Sequence, residues 1–238
     1  MAVPLISFFI PFICLLAVAP SLRAELTWKR RITVSQHGGV DTSSCWNETI
    51  PCKTLDYALA HVINSTLVHL IAGKRPYNLS QHFDFMNLHG FELVGDPYSI
   101  VSIECPWNNG SLSFENSDNI TLSGILLRGC GGLHASTTGR DFKYPHIEFY
   151  SAVFLVYCKH IVIDHCNIVD SPGIGLNMYD IGGEVRISHS RFENNRPDNL
   201  KDDEKDVAIA GGGIYMELTY RGGTLDRKST RLNSSHVR

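Results

Sequence analysis

The stretch KHIVIDHCNIVDSPG, Lys159 to Gly173, places an Asp-His pair, Asp164 and His165, at the end of a short β-branched run. A cysteine and a turn follow it. An aspartate there can ligate a hard cation, and an imidazole can carry a proton or bind a softer metal. A Ser-His pair, Ser188 and His189, recurs about 24 residues later, which raises the alternative of a repeating coil corner. At such a corner Asp accepts hydrogen bonds from turn amides, and His165 packs beside His189.

The surrounding sequence repeats. SFENSDNITLSGILLRGCGG (Ser113 to Gly132), FLVYCKHIVIDHCNIVDSPG (Phe154 to Gly173) and the segment ending GEVRISHSRFENN (Gly183 to Asn195) can be overlaid. Ile120 then falls on Ile161 and Val185, Leu122 on Ile163 and Ile187, and Leu127 on Ile168 and Phe192. The last two copies lie about 24 residues apart and the first two about 41, so one turn carries an insertion of roughly 17 residues, 133–149. Alternating strands of three to five residues joined by Asn, Gly, Ser and Asp turns predict a parallel solenoid. Before them, CKTLDYALAHVI (Cys52 to Ile63) spaces Leu55, Leu59, Val62 and Ile63 on one helical face, with Thr54 as N-cap. This helix is expected to close the open end of the solenoid and to lead into a first strand at Leu67 to Ile71.

PCKTLDYAL, the NITLSGILL-like coils and GGGIY (Gly211 to Tyr215) together resemble the right-handed parallel β-helix proteins of the pectin-lyase-like superfamily. The resemblance runs from about Cys45 to Leu218 and is closest to secreted or membrane-anchored β-helix ectodomains of animals. It implies an all-β, right-handed parallel β-helix with an N-terminal capping helix, truncated at the C-terminus. HIVIDHCNI also resembles the pectate-lyase strand whose aspartate helps bind a catalytic calcium ion, and Asp164 is the residue carried over. In that chemistry calcium acidifies the proton beside a uronate carboxylate, and an Arg or Lys removes it. The overlay, however, sets Ser123 below Asp164 and Ser188 above it, hydroxyls where further carboxylates are needed. Arg191 and Arg196 lie roughly where a lyase base is expected, without a clean motif, and no paired aspartates of a galacturonan hydrolase are present.

The other candidates are weaker. The remaining histidines lack the paired spacing of a zinc site, so no cofactor is expected, with Ca2+ entering only under the lyase alternative. Phe142, Tyr144, Phe149 and Tyr150 cluster around the insertion, either to stack on sugar or to fasten the loop. A second interruption at 196–208 carries Asp202, Asp203, Glu204 and Asp206 and is expected to be a solvated loop.

The ends indicate the compartment. Residues 1–24 are apolar through Ala19 and close on small and polar residues, as a secretory signal does. Six cysteines then remain: Cys45, Cys52, Cys105, Cys130, Cys158 and Cys166. Fifteen pairings of six cysteines are possible. Cys45 with Cys52 would close a small loop, Cys105 with Cys130 lie about one coil apart, and Cys158 with Cys166 follow by elimination. Sequons at Asn47, Asn64, Asn78, Asn109 and Asn119 agree with a secreted or cell-surface glycoprotein.

At the far end DRKSTRLNSSHVR, 226–238, resembles a translated sequencing adapter, so this tail is expected to be non-native and the chain a fragment. Without the tail the formal net charge of -3 becomes about -6, which gives no reason to expect nucleic-acid binding.

A hydrophobic content of 43% over 238 residues supports one domain with a substantial core. The expected organisation is a signal (1–24), a cap with its helix (25–66), β-helix coils (67–225) and the tail. The expected function is an extracellular, non-catalytic recognition or adhesion scaffold for a glycan or protein ligand, with a membrane anchor possible in the missing C-terminal region. The alternative is a carbohydrate-active lyase or hydrolase with an incomplete active site.

Overall fold

The computed structural model describes residues 29–46, 49–106, 110–134, 149–196, 212–217, 224–228 and 231–232. The chain enters through β1 (Arg30–Val34) and the short helix α1 (Leu55–Leu59), followed by β2 (Thr66–Leu70) and β3 (Tyr77–Asn78). Two complete coils follow: β4 (His82–Met86), β5 (His89–Val94) and β6 (Val101–Glu104), then β7 (Ser111–Glu115), β8 (Asp118–Ser123) and β9 (Ile125–Arg128). After β10 (Gly132–His134), two more coils run through β11 (Phe149–Val156), β12 (Lys159–Asp164), β13 (Asn167–Val169), β14 (Ile174–Tyr179), β15 (Gly182–Ser188) and β16 (Arg191–Glu193). The last is β17 (Gly212–Glu217), β18 (Thr224–Lys228) and β19 (Arg231–Leu232).

Strands of successive coils stack into three sheets, in the orders β1-β2-β5-β8-β12-β15-β18, β17-β14-β11-β7-β4 and β19-β16-β13-β9-β6-β3. All these pairings are parallel, and the antiparallel pair β10 with β11 stands off the second sheet. The molecule is a parallel β-helix. Ile120 pairs with Ile161 and Ile161 with Val185, Leu122 with Ile163 and Ile163 with Ile187, and Leu127 with Ile168 and Ile168 with Phe192, the columns expected from the sequence repeat. These side chains are buried and form one continuous core. Part of it is filled by aromatic rings: Phe114 lies 5.1 Å from Phe85 and 5.3 Å from Phe91, centroid to centroid.

The corners follow a two-residue rule. Where the second sheet turns into the first, Asn87, Asn116, Tyr157 and Asp180 take a left-handed backbone conformation. Each is followed by a buried residue, Leu88, Ser117, Cys158 or Ile181. Where the first sheet turns into the third, His165 (φ 51) precedes buried Cys166, and His189 (φ 49) precedes buried Ser190. The first residue of each pair turns the chain and the second fills the inside of the bend.

The helix is shorter than the sequence pattern implied. Thr54 caps it by accepting a hydrogen bond from the Tyr57 amide, but it ends at Leu59, and the chain turns away through His61 and Val62 toward β2. Leu55, Ala58 and Leu59 are buried in the core at this end. The first strand of the solenoid is β1 rather than β2: Arg30 to Val34 pair in register with Thr66 to Leu70. At the other end β18 pairs with β15 and β19 with β16, so Arg227 occupies the register position otherwise held by Leu122, Ile163 and Ile187. No helix among the described residues is long and apolar enough to cross a membrane.

Candidate functional site

The corner between the first and third sheets gathers the most chemistry. Parallel register stacks Val94, Ser123, Asp164 and Ser188 in one column at the strand ends. Asp164 is the one carboxylate among these four. Its Oδ1 accepts hydrogen bonds from the Ser188 hydroxyl at 2.7 Å and from His189 Nδ1 at 3.0 Å. Its Oδ2 lies 3.0 Å from His165 Nδ1. Burial alone would raise the carboxyl's pKa, but the hydrogen bonds from His189, Ser188 and His165 outweigh it and hold the group at about 2. The two imidazoles stack, with centroids 4.5 Å apart and planes inclined by 21°. Both are exposed, at 61% for His165 and 55% for His189.

The backbone beneath is tied together. The His165 amide donates to the Ser188 carbonyl at 3.1 Å, and the Cys166 amide donates to the Ser190 hydroxyl at 3.1 Å. That hydroxyl donates in turn to the Ser188 carbonyl at 2.7 Å. The corner positions are therefore held by ladder and side-chain hydrogen bonds, while the imidazoles project from them into solvent.

Two coils below, the same corner hollows out. Gly95 and Gly124 stand where His165 and His189 stand above, and a Cβ on Gly95 would come within 2.2 Å of the Gly124 carbonyl oxygen. Gly95 therefore has no room for a side chain, and the missing side chains at both positions leave a groove of about 380 Å³ lined by Asp96, Tyr98, Ser99, Ser123, Gly124 and His165, among others. Asp96 Oδ1 accepts the Tyr98 amide at 2.8 Å, and the Ser99 amide donates to the Asp96 carbonyl at 3.2 Å, so the rim loop is a built turn. The Tyr98 side chain is 96% exposed on it. A second hollow of about 320 Å³ beside α1 is lined by Leu55, Pro76 and Tyr77 among others, and there the Ser80 amide donates to Asp56 and the Gln36 side chain to the Pro76 carbonyl.

The other expected residues fall as follows. Arg191 is exposed and paired with Glu193 on its own strand, and Arg196 lies past the next corner, donating to Asn194 Oδ1 at 3.4 Å. Phe149 and Tyr150 sit on β11, Tyr150 opposite Leu133. Phe142, Tyr144, the acidic run Asp202, Asp203, Glu204 and Asp206, and the sequons at Asn47 and Asn109 lie outside the described residues. Asn64, Asn78 and Asn119 are exposed.

Disulfides join Cys45 to Cys52 and Cys105 to Cys130. The expected third pair is corrected, since Cys158 and Cys166 are free and buried. They fill the corner positions at opposite ends of β12, and an extended run of that length keeps its ends roughly 20 Å or more apart. Burial pushes both thiols up to about 12.

Sequence reasoning missed the groove, because DPYSI reads only as a turn. The packing of His165 beside His189, expected from the coil repeat, is what the structure shows.

No protein-family model matches the sequence, and no curated protein matches it. Among solved structures, a rhamnogalacturonan lyase superposes with a TM-score of 0.53 at 14% identity, covering 84% of this chain and 51% of its own. This agrees with the architecture, a parallel β-helix. The chain spans about half the length of that lyase, and at this identity the likeness concerns the fold.

Proposed function

We propose that this β-helix is an extracellular, non-catalytic glycan-recognition scaffold that binds sugar in the groove between the Asp96–Ile100 loop and the His165 corner. The observation that carries this reading is the exposed Tyr98 ring on the rim of a groove that combines an apolar lining with the Asp96, Ser99 and Ser123 side chains. An aromatic face flanked by hydroxyl and carboxylate groups suits a sugar, which offers an apolar face and hydroxyl edges together. Two disulfides support an oxidising, extracellular setting.

Lyase chemistry through calcium would need several oxygen ligands converging on one ion. The column at Asp164 supplies the hydroxyls of Ser123 and Ser188 on either side in place of further carboxylates. Arg191, one of the two arginines expected near the place of a lyase base, is paired with Glu193. These features favour recognition over turnover.

The test is titration of the full chain with oligosaccharides of galacturonan and rhamnogalacturonan, in parallel with an assay for unsaturated uronide release with calcium present. Binding that Tyr98→Ala weakens at least about tenfold supports the reading. Calcium-dependent product release that Asp164→Asn abolishes overturns it in favour of the lyase alternative.

A further inference from the structure

We propose that Asp164, His165 and His189 form a surface site for one divalent transition-metal ion of the zinc and copper class. The ligand-type atoms of the three side chains all lie within 4.8 Å of one another. Each imidazole Nδ1 stands 3.0 Å from an oxygen of the same carboxylate. That separation is close to what two neighbouring ligands of one ion show when its bonds to nitrogen and oxygen are about 2.0–2.2 Å. Both rings are more than half exposed, so small side-chain adjustments can bring the three ligand atoms onto one ion. The imidazoles would bind through Nδ1 as the Nε2–H tautomers, the carboxylate through one or both oxygens.

The scaffold supplies what a site of this kind needs besides ligands. The parallel register and the His165-to-Ser188 backbone hydrogen bond fix the two corners relative to each other across adjacent coils. The Ser188 hydroxyl orients the carboxylate from behind, the role that outer hydrogen bonds play at metal centres. Two imidazoles and one carboxylate suit zinc, copper or nickel and disfavour calcium and magnesium, which take oxygen ligands. Three protein ligands leave at least one coordination position open to water or to a bound ligand. Elsewhere among the described residues His-Asp contacts are simple pairs, His160 with Asp118 and His82 with Asp84, each with a single imidazole. The inference holds whether or not the neighbouring groove binds sugar.

Calorimetric titration of the purified full chain with Zn2+ tests it, with Cu2+ and its electron paramagnetic resonance spectrum as a second readout. One ion should bind per chain, and His165→Ala and His189→Ala should each weaken it at least about tenfold, while His160→Ala leaves it unchanged. The Cu2+ spectrum should show coupling to two imidazole nitrogens, reduced to one in either variant. Excess Ca2+ should not displace Zn2+. The proposal is overturned if the wild-type chain binds no Zn2+, if Ca2+ displaces it, or if a doubly substituted chain with an unchanged melting temperature binds as the wild type does.

Discussion

Asp164 and Ser188 face each other across adjacent coils, with the Ser188 hydroxyl 2.7 Å from the Asp164 carboxylate. The contact follows from the parallel register, which repeats each corner position one coil further on, and it puts a hydroxyl where a calcium-dependent active site would need a second carboxylate. The polar corner thereby links coils, and its contribution can be measured.

Asp164→Asn should destabilise the folded chain by about 1–2 kcal/mol, below the top of the range for hydrogen bonds to a charged group because water screens this partly exposed carboxylate. The pH dependence has a definite sign. Because the folded carboxyl sits at about 2, below its ordinary value near ~3.9, its contribution is fully present above about pH 4. It is lost as pH falls toward about 2. Thermal melts should show the wild type losing its advantage over Asp164→Asn between about pH 4 and pH 2. Parallel melting curves across that window would mean that the carboxylate contributes nothing.

How far the sequence could be read depends on what positioned each residue. Ile120, Ile161 and Val185 were legible as a column because inward aliphatic positions recur at the coil period. The same overlay set Ser123 and Ser188 beside Asp164, since register is a property of the repeat. β1 was not legible, because RRITV lies before the first recognisable coil and joins the sheet only through β2. Nor was the role of Cys158 and Cys166, whose spacing in the chain says nothing of the inward corner positions they fill. The groove escaped notice because it is made by absent side chains at Gly95 and Gly124 and by a loop with no periodicity.

Phe114→Ala should be among the most damaging single changes, costing about 3–5 kcal/mol by removing a ring from a close-packed core. Phe114 is fully buried, stacked on Phe85 and tilted against Phe91, so its removal leaves a cavity among packed rings. Phe85→Ala, at a partly buried position, should cost less. Chemical denaturation of the two variants gives the order, and an equal effect would mean that the rings do not form one packed unit.

The cysteines should divide into two classes. Replacing Cys105 and Cys130 by serine opens a link between residues 25 apart in the chain and should cost about 3 kcal/mol. Cys158 and Cys166 should resist a thiol reagent in the native state and react on unfolding, because both are buried and their thiols are held protonated. Reagent titration before and after denaturant measures this. Rapid native labelling of either thiol would contradict the corner packing.

Expression in a eukaryotic secretory host should yield glycans at Asn64, Asn78 and Asn119, all exposed. Asn64 Oδ1 accepts the His89 amide at 2.9 Å, a bond that survives glycosylation because the sugar attaches to the side-chain nitrogen. Asn64 and Asn119 lie near the starts of first-sheet strands, whereas Asp164 and Ser123 lie at strand ends, about 13 Å away along a strand. Glycans at those two positions would therefore flank the β-helix and leave the Tyr98 groove open. Enzymatic deglycosylation should lower the mass, each Asn→Gln change should remove one glycan, and sugar binding at the groove should be unaffected. A mass that does not change on deglycosylation would remove glycosylation from the account of this protein, and with it one support for its extracellular assignment.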